Sequence, residues 1–251
     1  MTQHLFILTG TSRGMGFEMA RQLLAAKHTV IGLSRSSSPA LAEAATHCGG
    51  ALLQWTHDLA DAKSACTALT QWLNDQAASP WGSATLINNA GVIAAIGPLS
   101  QADAMDTARA LRVGLEAPML LTAAFLSATS TWRVPRKVLN ISSGLGRRAM
   151  ASQAAYCAAK AGMDHFTRCL ALDEALDPNG AKVCSLAPGV IDTDMQTQLR
   201  SASAAAFPDV GNFMQMKSTG ALTSPAAAAK RVLAFLDRSD FGLNPTADVR
   251  D

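Results

Sequence analysis

Charge is scarce in this sequence: Asp, Glu, Lys and Arg make up 16% of 251 residues and leave a formal net charge of +2. That balance is too small for a nucleic-acid footprint, and the densest basic spot is the pair Arg147-Arg148. The five cysteines are odd in number and scattered, with no C-x-x-C pair, which excludes a disulfide scaffold and suits a reducing cytoplasm. The five histidines lack H-x-x-x-H or H-E-x-x-H spacing, so no metal site is expected. No uninterrupted apolar run reaches the roughly 18 residues of a membrane span, and the opening MTQHLFILTG shows neither basic leader nor cleavage site. Linkers, repeats and low-complexity tracts are also missing. Tyrosine is rarest of all, with one copy in the chain, at position 156.

Apolar residues make up 49%, ample for a core and too many for disorder. Short apolar runs, HLFILT, HTVIGL, ALLQW, ATLINN, KVLNIS and AKVCSL, read as buried strands rich in Val, Ile and Leu. Amphipathic segments between them read as helices: MGFEMARQLLAA, LAEAATHC, AKSACTALTQWLNDQ, the long run from Gln101 to about Ser130, and SQAAYCAAKAGMDHFTRCLALDEAL. Repeated β–α alternation predicts an α/β fold, a Rossmann-like doubly wound parallel sheet with helices on both faces, in one domain over 1–251. Residues 192–224, rich in Met, Gln, Ser and Ala, break the alternation. They read as a substrate-covering insert, whether mobile lid or surface helical pair. The tail DFGLNPTADVRD is expected to end in a short edge strand.

The first strand ends in TGTSRGMG, with Gly10, Gly14 and Gly16 leading straight into a helix. Glycines allow a tight turn and close approach to a pyrophosphate, which the helix N-terminus also favours. The second strand ends IGLSRSSS, offering Arg35 where an NAD site would carry an acid about 20 residues on. Arg13 adds a second guanidinium, and two such forks suit a ribose 2′-phosphate, so NADP(H) is expected over NAD(H). Tyr156 and Lys160 in YCAAK are one helical turn apart, so phenol and ammonium can share one space. A nearby cation would lower a phenol pKa from about 10.

Taken together, TGTSRGMG (9–16), HDL (57–59), NNAG (88–91), ISSG (141–144), YCAAK (156–160) and PGVIDT (188–193) resemble the short-chain dehydrogenase/reductase family over nearly the whole chain. The resemblance implies that Gly10, Ser12, Arg13, Gly14, Met15 and Gly16 hold the cofactor phosphates. Asp58 and Leu59 would border the adenine, and Asn88, Asn89, Ala90 and Gly91 would support the cofactor behind the fourth strand. Pro188, Gly189 and Thr193 would hold the nicotinamide end. Ser143, thirteen residues before Tyr156, would be the catalytic serine, with Ser142 as the alternative. Ser143 would hold the substrate oxygen, Tyr156 would protonate it, and Lys160 would depress the tyrosine pKa and hold the cofactor ribose. The family's helix-borne asparagine, which holds a relay water, is replaced here by Gly114. That departure is the support for a rival reading as a non-catalytic NADP(H) sensor; a secondary-alcohol dehydrogenase is the other alternative.

Within the family, YCAAKAGMDHF, LALDE and APGVIDTDMQ are most similar to sepiapterin reductases and bacterial benzil reductases. The implied activity is NADPH-dependent reduction of a carbonyl or vicinal dicarbonyl to the hydroxy compound. By that resemblance Asp248 would anchor a pterin's amino groups, since a carboxylate accepts two N–H bonds. Ser143, Leu145, Met150, Met195 and Met214 would line the substrate cleft. The family also implies a homodimer or homotetramer paired through the long fourth and fifth helices, with no nucleic-acid or membrane partner.

Overall fold

Val, Ile and Leu in strands five or six residues long bury on both faces in five of the six strands read from the sequence, and the sixth, Ala51–Thr56, stands partly exposed at the sheet edge. β1 (Leu5–Thr9), β2 (Thr29–Ser34), β3 (Ala51–Thr56), β4 (Ala84–Asn88), β5 (Arg136–Ile141), β6 (Lys182–Ala187) and the short β7 (Thr246–Asp248) form a 7-stranded sheet. Its order is β3-β2-β1-β4-β5-β6-β7, and every pairing is parallel. The computed structural model describes residues 3–76 and 81–251. Met1 and Thr2, at the start of the segment read as leaderless, and residues 77–80 lie outside the described residues.

Alternate side chains on each strand serve opposite cores. Phe6 and Leu8 of β1 pack under α1 (Gly14–Ala25), α2 (Pro39–Cys48) and α9 (Pro225–Leu236). Leu5 and Ile7 pack under α3 (Lys63–Asp75) and α5 (Ala117–Ala128). The architecture is the expected Rossmann-like one. Strand order reverses between β1 and β4, so their C-terminal ends open a crevice where such sheets take ligands.

The run from Gln101 to Ser130 folds as α4 (Ala104–Leu111), a π turn over Arg112–Glu116, and α5 without a break. The Ala117 N–H reaches back five residues to the Arg112 carbonyl. By length and composition Ala104–Ala128 could cross a membrane, yet Val113, Ala117, Leu121 and Phe125 are buried in the second core. The widened turn lies against α6 (Ala154–Glu174). A Cβ on Gly114 would come within 3.0 Å of the Ala159 Cβ, and one on Gly162 within 2.8 Å of Leu115. Small residue against side chain, twice over, brings the two helices together beside Lys160.

Residues 192–224 hold α7 (Asp194–Arg200) and α8 (Val210–Ser218), the helical-pair form of the insert. Its two ends meet: the Asp192 N–H donates to the Thr223 carbonyl at 2.9 Å, and the Thr223 N–H to Val190 at 2.9 Å. Ser224 then caps α9, a helix the strand–helix pattern had not marked.

A side chain at position 114 needs the Ala159 Cβ on α6 to give by a few tenths of an ångström. Gly114→Asn is expected to lower stability by about 1–3 kcal/mol through overpacking, measured by urea unfolding, and to leave turnover no higher than wild type.

Candidate active site

At the crevice, the Gly10 and Gly14 backbones turn through φ +77° and +58°, where side chains are strained. A Cβ on Gly16 would strike the Gly10 carbonyl oxygen and the Asn89 side-chain amide. That amide donates to the Thr9 carbonyl at 2.9 Å, while the backbone N–H groups of Asn89 and Ala90 both donate to Thr9 Oγ1 at 2.9 Å. Asn89 therefore clamps the glycine turn to the end of β4. Asn88 does not belong to the site. One residue earlier on the strand it faces the core and donates to Asn140 at 2.8 Å and Thr122 at 3.1 Å, in a buried ladder that ends at Thr167.

A cavity of about 740 Å³ runs from this turn to the end of β7. Gly10, Ser12, Arg13, Gly14, Met15 and Gly16 line one end with Arg35, Asp58 and Leu59, and Asn89, Ala90 and Gly91 form part of the floor. Pro188, Gly189 and Thr193 line the opposite wall, and Thr193 Cγ2 lies 3.6 Å from where a Gly14 Cβ would stand. Arg13, also at this end, pairs with Asp194 at 3.1 Å, both side chains exposed. Arg35 is exposed on the cavity rim, with no ion-pair partner among the described residues.

Ser143, Tyr156 and Lys160 all open onto this cavity. Ser143 Oγ accepts the Leu145 N–H at 3.2 Å, which opens the turn after β5. The alternative, Ser142, also lines the cavity, but its hydroxyl is buried with no protein partner. Lys160 is buried on α6; its ammonium donates to the Ile141 carbonyl at 2.6 Å and lies 5.8 Å from the Tyr156 ring centroid. Burial pushes the Tyr156 phenol above its ordinary value, and the Ser143 hydroxyl is what pulls it down. Burial outweighs the depression expected from Lys160, whose ammonium is bonded to the Ile141 carbonyl in this structure. Tyr156 is accordingly a neutral phenol at neutral pH, able to give a proton.

The substrate side is apolar. Phe207, Phe213, Val210, Leu199 and Ile93 form a buried cluster, against which Tyr156, Met150, Met195 and Met216 pack. Leu145, Met150 and Met195 line the cavity as expected. Met214 does not: it is exposed on the outer face of α8, and Met216 takes the inner place. Asp248 reaches the cavity from β7, but both its oxygens are taken. Arg250 Nε donates at 2.7 Å and Nη2 at 2.6 Å, and this pairing holds the carboxyl below its usual range. The site also contains Arg109, Arg148, Gln153 and Arg250, which no motif marks.

A family model described as short chain dehydrogenase matches residues 4–204. The chain belongs to that family. It is 35% identical to a benzil reductase ((S)-benzoin forming) of Bacillus cereus, over 94% of each chain. Against a sepiapterin reductase of Xenopus tropicalis identity is 28%, over 98% of this chain and 96% of the relative. The crystal structure of the KRED1-Pglu enzyme superposes with a TM-score of 0.82 at 25% identity, covering 98% of this chain and 100% of the other.

This short-chain dehydrogenase has a cradle that fits a nicotinamide dinucleotide, with a glycine turn too tight for a Cβ at the N-terminus of α1 and a cavity running on to the proton-bearing residues. Its Lys160 is lowered from 10.5 to about 8, first by burial, with Asp164 opposing. Below pH 8 the folded and unfolded states both hold that proton, and the fold carries the full penalty of a buried cation. Between about 8 and 10.5 only the unfolded state keeps it, so stability rises with pH. Lys160→Met is expected to be the more stable protein at pH 7.5, with its advantage shrinking by roughly 2 kcal/mol at pH 10. Urea unfolding of both proteins without cofactor measures this.

Proposed function

We propose that this short-chain dehydrogenase reduces a carbonyl or vicinal dicarbonyl compound of the benzil type with NADPH. The observation that carries the reading is one cavity onto which the glycine turn, the Ser143–Tyr156–Lys160 group and the apolar insert cluster all open. When bound, the nicotinamide dinucleotide supplies a hydride equivalent. Gly10, Gly14 and Gly16 would hold its phosphates, Asp58 and Leu59 its adenine, and Asn89, Ala90, Gly91, Pro188, Gly189 and Thr193 its nicotinamide half. Arg35 would meet a 2′-phosphate with a guanidinium free for a bidentate contact. Arg13 can join it, since its contact with Asp194 is between exposed groups and is weak.

The side chains then divide the proton work. Ser143 donates its hydroxyl proton in a hydrogen bond to the substrate oxygen and orients the carbonyl. Tyr156, neutral and half-buried, donates the proton as negative charge develops on that oxygen. Lys160 steadies the phenolate left behind. Met150, Met195 and Met216 give the substrate an adaptable apolar wall, which suits aryl groups better than charged ones.

Benzil and 1-phenyl-1,2-propanedione are expected to be turned over with NADPH far faster than with NADH, followed by nicotinamide absorbance, with sepiapterin and a plain ketone alongside. Tyr156→Phe should cut turnover by about 10²–10⁴. Equal rates with NADH would remove the NADP assignment, and full activity in the mutant would remove the tyrosine.

The Asp248–Arg250 pair favours a benzil-like substrate over a pterin, because a carboxylate already held by a guanidinium has little left to offer amino groups. Arg250→Ala should free it and raise kcat/KM for sepiapterin about tenfold relative to benzil, the worth of one charge-assisted hydrogen bond. An unchanged ratio between the two substrates would show that Asp248 takes no part in selection.

A further inference from the structure

Lys160 needs a partner that keeps it charged, and Gly114 offers none. The groups around it can be taken element by element. From β5 comes the Ile141 carbonyl, and from the loop after β4 comes Gly91, where a Cβ would lie 3.9 Å from the ammonium. The turn packed on this part of α6 presents Gly114 and Leu115, both uncharged, while α4, also packed on α6, carries Arg109 onto the same cavity. On α6 itself stand Tyr156 and, one turn beyond Lys160 on the same inward face, Asp164, only 2% exposed. β6 adds Cys184, whose thiol burial pushes up to about 12, so it stays neutral.

Asp164 is not left to float. Oδ1 accepts the Ser185 hydroxyl at 2.6 Å, and Oδ2 accepts Arg147 Nε at 3.2 Å. Arg147 belongs to the turn that begins at Ser143, and its Nη2 donates to the Ala247 carbonyl of β7 at 2.8 Å. Gly146 lets that turn press onto α6: a Cβ there would lie 2.9 Å from the Lys160 carbonyl oxygen and 3.0 Å from Asp164 Oδ2. Charges alternate from Lys160 past Asp164 and Arg147 to Asp248 and Arg250. Arg147–Asp164 and Arg250–Asp248 are ion pairs, while Lys160 and Asp164 face each other one helical turn apart without an ion pair among the described residues. A carboxylate this deeply buried, with two donors fixed on it, is costly to leave unpaired.

We propose that Asp164, fixed by Ser185 and Arg147 one turn from Lys160 in the same buried cluster, is the residue that keeps Lys160 charged through space, and that Arg147 ties the Ser143 turn and β7 to the same unit. Its place in catalysis rests on the reductase reading above; its hold on Lys160 does not. Asp164 raises the lysine's proton affinity against burial, so Asp164→Asn should release the proton at lower pH. Activity needs the ammonium and falls as pH rises through its pKa.

The test is the pH profile of kcat for wild type, Asp164→Asn, Asp164→Glu and Ser185→Ala. The alkaline limb of Asp164→Asn should move to lower pH by about one unit, Asp164→Glu should restore it, and Ser185→Ala should leave it in place. A uniform loss of rate with an unmoved limb would overturn the proposal and leave Asp164 a purely structural residue. The second readout needs no activity. In the Asp164→Asn background without cofactor, the pH at which Lys160→Met loses its stability advantage should drop below that of the wild-type background, and an unchanged pH would overturn the proposal. Should Asp164→Asn fail to fold, Arg147→Met removes the competing cation and should move the limb the opposite way; no shift would count against the proposal. Failure of the activity arm alone, on every substrate, would bring down the reductase reading and leave the hold on Lys160 standing.

Discussion

Lys160 carries an ammonium into a space nearly closed to water, and much of the local architecture follows from making that tolerable. The Ile141 carbonyl stands at the end of β5 to receive it, 2.6 Å away. Gly91, Gly114 and Gly146 border the lysine or its neighbours, and at Gly114 and Gly146 a Cβ would crowd α6 or its side chains. The π turn over Arg112–Glu116 widens the partner helix where it meets Ala159. Interrupting an α-helix in this way costs hydrogen-bond geometry, and such turns gather at functional sites. Here the interruption coincides with the residue before the lysine.

The cavity has two halves built from different physics. The glycine-turn half is made of backbone: positive φ angles, N–H groups at the start of α1, and a threonine and an asparagine that fasten the turn to β4. Its charged residues, Arg13, Arg35 and Asp58, are exposed, so their interactions are screened and adjustable. In the other half, Lys160 and Asp164 are buried and Tyr156 is half-buried, and small changes in neighbouring charge move proton affinity strongly. On the reading proposed above, binding adapts in the first half while protons are controlled in the second.

Strands β1, β2, β4, β5 and β6 were legible because each is a short run rich in Val, Ile and Leu between turn formers, and burial on both faces is what makes such runs. The edge strand β3 showed itself by Leu52, Leu53 and Trp55 although it is only partly buried. The glycine turn and the pair Tyr156–Lys160 were legible because their chemistry depends on local spacing alone. α9 escaped the strand–helix pattern, although Ser224-Pro225 is a capping signal in plain view. Asn88 and Asn89 could not be told apart by type; only strand parity sends one to the core and its neighbour to the turn. Met214 and Met216 differ in helix phase by two residues, which composition does not record. The pairings Arg13–Asp194, Arg147–Asp164 and Arg250–Asp248 depend on where side chains meet after folding. Two of them join residues far apart in the chain, so periodicity carries no trace of them.

Because the Val190–Asp192 and Thr223 segments are bonded to each other, everything between them leaves and re-enters the sheet at a single point. A segment anchored in that way is closer to a cassette than to a connection. Lengthening or exchanging it changes the closure entropy only slowly, about 0.6 kcal/mol for each doubling of length. The strands lie outside such an exchange, but Thr193 and Asp194, which meet Gly14 and Arg13, lie inside it, so the glycine turn is spared only when those two are kept. Evolution can therefore rewrite the apolar wall formed by α7 and α8 while Ser143, Tyr156 and Lys160 stand outside the exchanged segment.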